Sequence, residues 1–76
     1  MSRLPSCTAD DVIRALKRAG FTLDHATGAH HFFRHPQRSR PVPVPFHRGD
    51  IKRGLLHEII RQAGLTTDEF IKLLRG

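Results

Sequence analysis

The sequence predicts an α+β domain: a three-stranded antiparallel sheet with helices packed on one face, in the order α-β-β-β-α plus a short C-terminal helix. Three observations carry this. Both ends of the chain repeat apolar residues at helical spacing. The middle holds two strand-like stretches joined by a Thr-Gly turn signal. A third stretch then places proline at every second position, where a strand can tolerate it only along one edge. With 76 residues there is room for one domain with a small core. We read residues 1–7 as a flexible lead-in and 8–76 as the domain.

The elements follow in order. Thr8 is placed to cap the first helix, and Asp10 and Asp11 suit the positive end of its dipole. Val12, Ile13, Leu16 and Ala19 form one face, and Gly20 ends the helix. Phe21 to Ala26 reads as the first strand, Thr27-Gly28 as a turn, and His30 to His35 as the second strand. Pro41-Val42-Pro43-Val44-Pro45-Phe46 reads as an edge strand. The prolines at 41, 43 and 45 remove donors from one side only, so Val42, Val44 and Phe46 can still pair on the other, and the outer edge is closed to further strands. Asp50 is the expected cap of a helix from Arg53 to Ala63, with Leu55, Leu56, Ile59, Ile60 and Ala63 inward. Gly64 closes it, and Thr67-Asp68-Glu69 begins a last short helix carrying Phe70, Ile71, Leu73 and Leu74.

Side chains alternate across a sheet, so one choice of register assigns every residue to a face. Taking residues 37–40 as the second hairpin loop sets Phe33 opposite Val44, His31 opposite Phe46 and His30 opposite His47. Taking Ala26-Thr27-Gly28 as the first loop sets Phe21 opposite Phe33, Leu23 opposite His31 and Asp24 opposite His30. Phe21, Leu23, Phe33, Val44 and Phe46 then line the covered face. His30, Phe32 and Arg34 line the open one, with Asp24 and His47.

Thirteen Lys and Arg against 7 Asp and Glu leave a net charge of +6, which favours an anionic partner. Cys7 is the single cysteine, so no intrachain disulfide or cysteine-based zinc site can form. No apolar run approaches the roughly 18 residues of a membrane span, and a soluble cytoplasmic protein is expected. His30, His31 and His35 invite a metal reading, but neighbours on a strand project to opposite faces. His31 and His35 also lie roughly 13 Å apart along it. No metal site is therefore assigned; the pair His30 and His47 is the nearest approach to one.

Acid–base chemistry suits these residues better. Histidine exchanges protons near neutral pH. RNA supplies its own nucleophile, the ribose 2′-OH, so a protein that cuts it needs proton transfer, charge stabilisation and a hold on the base. His30 is the candidate catalytic residue, in the turn set by Gly28 and Ala29, with His47 and Asp24 as candidate accessory groups. Arg34, Lys52 and Arg53 are candidate phosphate contacts, and Phe32 is a candidate stacking platform. His31 and His35 are expected to be partly buried and hydrogen-bonded. His25 and His57 carry no special signal, and Arg38 and Arg40 read as a mobile basic loop.

These residues also carry a resemblance. Ala19-Gly20-Phe21, Gly28-Ala29-His30-His31, Phe33-Arg34-His35-Pro36, Val44-Pro45-Phe46-His47, Asp50-Ile51-Lys52-Arg53-Gly54 and Ile59 to Leu65, in this order and spacing, resemble the HicA family of toxin–antitoxin mRNA interferases over about residues 9 to 74. The resemblance implies a fold like the double-stranded-RNA-binding domain. It implies a metal-independent endoribonuclease that cuts mRNA, needs no cofactor, and is covered by a HicB-type antitoxin. It assigns the catalytic histidine to His30. The sequence departs from the family pattern at Ala29, where Ser is usual, and at Leu56, where Thr is common. Two other readings remain: a non-catalytic RNA-binding domain of the same shape, and a protein-interaction module whose basic face meets an acidic partner.

Overall fold

In the computed structural model, which describes residues 3–76, two of the three helices begin at a capping box. Helix α1 (Ala9–Arg18) is capped by Thr8, whose hydroxyl accepts the Asp11 N–H while the Asp11 carboxylate accepts the Thr8 N–H. The last helix, α3 (Thr67–Arg75), repeats the device with Thr66 and Glu69. Such reciprocal bonds satisfy backbone donors that a helix start leaves open. Helix α2 (Arg53–Gln62) has no side-chain cap; Lys52 stands at its N-cap position. Asp50, expected to cap it, instead forms an isolated antiparallel bridge with Thr8. Gly20 leaves α1 with φ +99°, and a Cβ there would sit 3.2 Å from His35 Nε2, so both backbone and space favour glycine.

Strands β1 (Thr22–Thr27), β2 (His30–Arg34) and β3 (Val42–Pro45) form one antiparallel sheet in sequence order. The predicted α+β class and element order are those of the protein. The pairing differs from the expected register by two residues on the β3 side. Phe33 pairs with Val42, His31 with Val44 and His30 with Pro45, so His30 does not face His47, and β3 ends before His47 is reached. A shift of two preserves the faces, which is why Phe33 and Val44 are still buried.

The first hairpin departs further. Its loop is the pair Gly28-Ala29, closed by Thr27 and His30. Only Gly28 needs positive φ, at +42°, the pattern of a II′ turn. Phe33 faces Leu23 rather than Phe21, and a bulge between Leu23 and His25 follows. The extra residue resets the alternation, so His25 pairs with Phe32. Asp24 therefore does not face His30.

The core lies between the covered face of β2–β3 and the helices. Phe33, Val42 and Val44 meet Val12 and Leu16 of α1, Leu56 and Ile59 of α2, and Phe70 of α3, all fully buried. Both α1 and α2 pack on β3, and all six residues of β1 are exposed. Two expected core residues are therefore outside: Leu23 is 51 % exposed and Phe46 45 %. Leu23 points to the correct face, but no helix reaches it. The segment before α1, expected to be a lead-in, buries Leu4 and Cys7, and Arg53 Nη1 donates to the Leu4 carbonyl at 2.6 Å. Burial, ahead of the nearby carboxylates, raises the Cys7 thiol above its usual pKa.

Beyond β3 the proline logic holds. The Phe46 N–H donates to the Ala29 carbonyl at 2.6 Å, so the even-numbered residues face β2 and the proline positions face outward. Phe33→Ala should cost about 3–5 kcal/mol in urea denaturation, and Phe32→Ala well under half of that. The reverse order of costs would contradict the faces described.

Candidate functional site

The Gly28-Ala29 turn delivers His30 as the first residue of β2, and its side chain is exposed. Strand alternation sends it to the uncovered face with Phe32 and Arg34. The His30 and Phe32 rings are 6.3 Å apart with planes tilted by 37°. His30 makes no side-chain hydrogen bond among the described residues, so both ring nitrogens are open to a ligand.

The bulge brings two more side chains to this face. His25 lies flat on Phe32, with centroids 4.4 Å apart and planes 6° apart. Asp24 binds Arg34 Nε at 2.9 Å through one carboxylate oxygen and His25 Nδ1 at 2.7 Å through the other. The carboxylate thus fixes a cation and a ring together. The bond from Arg34, followed by that from His25, holds the Asp24 carboxyl below the usual range, and Asp24 in turn raises the Arg34 guanidinium. A second flat stack lies on the other face, where Phe46 covers His31 at 4.3 Å and 4°. The hairpin is flanked by aromatic pairs on both sides.

The remaining candidates are dispersed. His47 sits in the turn after β3, with Nδ1 2.8 Å from the Arg48 carbonyl. A carbonyl only accepts, so in the neutral ring Nδ1 carries the proton and Nε2 keeps the lone pair. Lys52 is exposed at the start of α2. Arg53 has one guanidinium nitrogen occupied by Leu4. His31 is half-buried in its stack, and His35 is half-buried against Phe21 with centroids 4.8 Å apart. Of the two, His35 has the expected hydrogen bond, its Nδ1 accepting the Gln37 N–H at 3.0 Å. Among the described residues no three His, Cys, Asp or Glu side chains converge as metal ligands.

The sequence reading missed His25 and the Phe46–His31 pair. His25 falls on the open face only because of the bulge, which no residue between 22 and 27 announces. Phe46 looked like core because nothing in the sequence says that the helices stop short of the hairpin end.

This hairpin, its edge strand and the two helices behind them lie within residues 9–65, which match the model for the HicA toxin of bacterial toxin–antitoxin systems. The chain belongs to the HicA toxin family. No curated protein matches it. The match ends before α3. At Ala29 and Leu56, where the resemblance leads to an expectation of Ser and Thr, the residues present are compatible with the fold. Ala29 meets Phe46 through its carbonyl, which any residue offers, and Leu56 is fully buried in the core.

The Asp24 bonds predict a titration. A carboxyl held low stabilises the hairpin above the unfolded value near 4 and loses that contribution as pH falls through the depressed folded value. The Asp24 contribution to the hairpin should therefore be fully present above about pH 5 and be lost only below about 4. In carbon-detected NMR, Arg34→Ala should move the Asp24 midpoint back up towards the ordinary value; an unmoved midpoint would mean that Arg34 does not hold it.

Proposed function

We propose that this HicA-family chain is a metal-independent endoribonuclease of a type II toxin–antitoxin system, that it cuts mRNA and so inhibits translation, and that a HicB-type antitoxin neutralises it. The observation that supports this most directly is the exposed His30, free of hydrogen bonds, at one end of a face that also presents a stacking ring and a clamped arginine. Family membership supplies the toxin–antitoxin setting. No helix among the described residues is long and apolar enough to cross a membrane, and the reading puts the protein in the cytoplasm with its mRNA.

The chemistry follows from these groups. The ribose 2′-oxygen attacks the adjacent phosphorus, its proton passes to a base, and the bond to the 5′-oxygen breaks as that oxygen gains a proton. His30 is the base or the acid of this sequence. His47, with Nε2 as its lone-pair nitrogen, is the candidate second group. Phe32 and the His25 ring stacked on it form the aromatic surface that a base meets. Arg34, aimed by Asp24, faces the phosphate charge, with Lys52 and Arg53 as outlying cations. Asp24 is a positioning residue in this scheme rather than a proton carrier, because both of its oxygens are engaged.

A non-catalytic RNA-binding domain would use the same Phe32 stack and the same charge. The two readings separate on His30. Purified His30→Ala should melt at the wild-type temperature yet lose RNA cleavage by at least about a hundredfold, and its induced expression should no longer arrest growth. Wild-type cleavage should persist in EDTA. Cleavage retained by a folded His30→Ala protein would refute the catalytic assignment, and binding without cleavage by the wild type would favour the second reading.

The antitoxin prediction is structural. The partner should lay an acidic surface over His30 and protect the amides of residues 28 to 34 from hydrogen exchange in the complex. Unchanged exchange there would rule out inhibition by covering.

A further inference from the structure

Five of the arginines are engaged within the fold. Arg14 binds Asp11, Arg34 binds Asp24 and Arg61 binds Glu58, while Arg18 and Arg53 donate to main-chain carbonyls. Arg38 and Arg40 have no side-chain partner among the described residues, yet they are not scattered. They line a cavity of about 580 Å³ with Gln37, Ser39, Arg61 and Gln62, between the β2–β3 loop and the last turn of α2. The sequence reading took this loop for a mobile basic segment. Its main chain is in fact tied down: the Arg38 N–H donates to the His35 carbonyl at 3.0 Å, and the Gln37 N–H to His35 Nδ1 at 3.0 Å.

The Arg38 guanidinium rests against Gly64. A Cβ at residue 64 would collide with it, and Gly64 also has φ +76°. The residue that ends α2 therefore also leaves the room in which Arg38 lies. Arg38 makes no hydrogen bond to the carbonyls of that helix end, so its donors remain available. Arg61 is largely neutralised by Glu58, which also accepts from Gln62. The free positive charge of the cavity is that of Arg38 and Arg40, surrounded by the neutral donors of Ser39, Gln37 and Gln62.

We propose that this cavity is a second phosphate-binding site, which holds the RNA backbone away from the scissile bond. Guanidinium forks and amide and hydroxyl donors at a concave, solvent-open site match the several oxygens of a phosphodiester. Its position agrees: His30 stands at one end of β2, Arg34 roughly 13 Å further along, and the cavity just past that end. Val42, Arg61 and Gln62 in its lining put the cavity on the helix-covered side, so RNA that passes Phe32 and Arg34 reaches it by turning over the end of the sheet. An acidic protein surface is the less fitting occupant, because the two free cations line a concave site among neutral hydrogen-bond donors rather than spread over a flat face. The inference rests on RNA being the substrate, but not on His30 being the catalyst.

The test uses the full chain carrying His30→Ala and a labelled single-stranded oligoribonucleotide long enough to span the sheet. Anisotropy titrations are run over a range of salt, with gels to confirm that the RNA stays intact. Adding Arg38→Ala and Arg40→Ala should weaken binding about tenfold. It should also flatten the salt dependence by about 1.4 in slope, since each single-strand phosphate contact contributes about 0.7. Lysine at both positions should restore most of the slope, and the melting temperature should not move. If Arg38→Ala alone lowers stability, Arg40→Ala alone should still lower the slope by about 0.7.

An unchanged slope overturns the proposal. So does weakened binding to a purified antitoxin with RNA binding intact, which would give the cavity to a protein partner. Saturable binding of inorganic phosphate with no effect of the variants on RNA would mark a free-anion site and overturn it equally. Absence of salt-dependent RNA binding before the arginines are changed would remove the RNA reading itself. RNA cut during the titration would instead refute only the role of His30.

Discussion

Phe33 is fully buried in the core that the sheet shares with the helices, and the rest of the open face follows from that one burial. A strand alternates, so a buried Phe33 sends Phe32 and Arg34 outward, and His30 with them. Phe33 pairs with Val42 of the neighbouring strand and belongs to the same apolar core as Leu16, Leu56 and Phe70. A slip by one residue would bury Arg34 and His30 and expose Phe33, costing both hydrophobic burial and charge solvation. The candidate catalytic side chain, His30, is aimed by the packing of Phe33.

The helices cover only part of the sheet. They rest on β3 and leave β1 exposed along its whole length. The bare hairpin is stabilised by interactions that need little burial: the flat His25–Phe32 and His31–Phe46 stacks and the Asp24 clamp on Arg34 and His25. Exposed ion pairs are individually weak, so their value here is in direction. The bulge at Asp24 is what lets one carboxylate reach both partners. The proline strand serves the opposite edge, where missing donors deny a second chain a place to pair.

Charge is divided in the same way. Of the acidic side chains, Asp11, Asp24, Glu58 and Glu69 are each engaged with an arginine, a histidine or a helix start. The unneutralised positive charge is thus carried by side chains such as Arg38, Arg40 and Lys52, at some distance from His30. Under the proposed function, cations placed along the path of the RNA, rather than crowded at the reacting bond, would not compete for the phosphate with the proton-transfer group.

Much of this was determined by the sequence alone, because the signals are local. Thr8 and Thr66 with an acid three residues later start helices, and a glycine that alone tolerates positive φ makes the hairpin turn. Alternating prolines permit one pairing edge, and a single buried aromatic divides β2 into two faces. The family resemblance, carried by short motifs in order, was legible for the same reason. The tertiary structure decided what depends on distant partners. The β2–β3 register turned on how loop 35–41 closes against α2. The bulge that recruits His25 turned on fitting β1 to a strand already seated by Phe33. The exposure of Leu23 and Phe46 turned on where the helical layer ends. Arg38 and Arg40 read as an idle loop until the fold brought that loop against Gly64 and the end of α2, more than twenty residues away in the chain. Local sequence encodes which conformations a segment can adopt; which surfaces remain open is fixed only when the segments exclude water from one another.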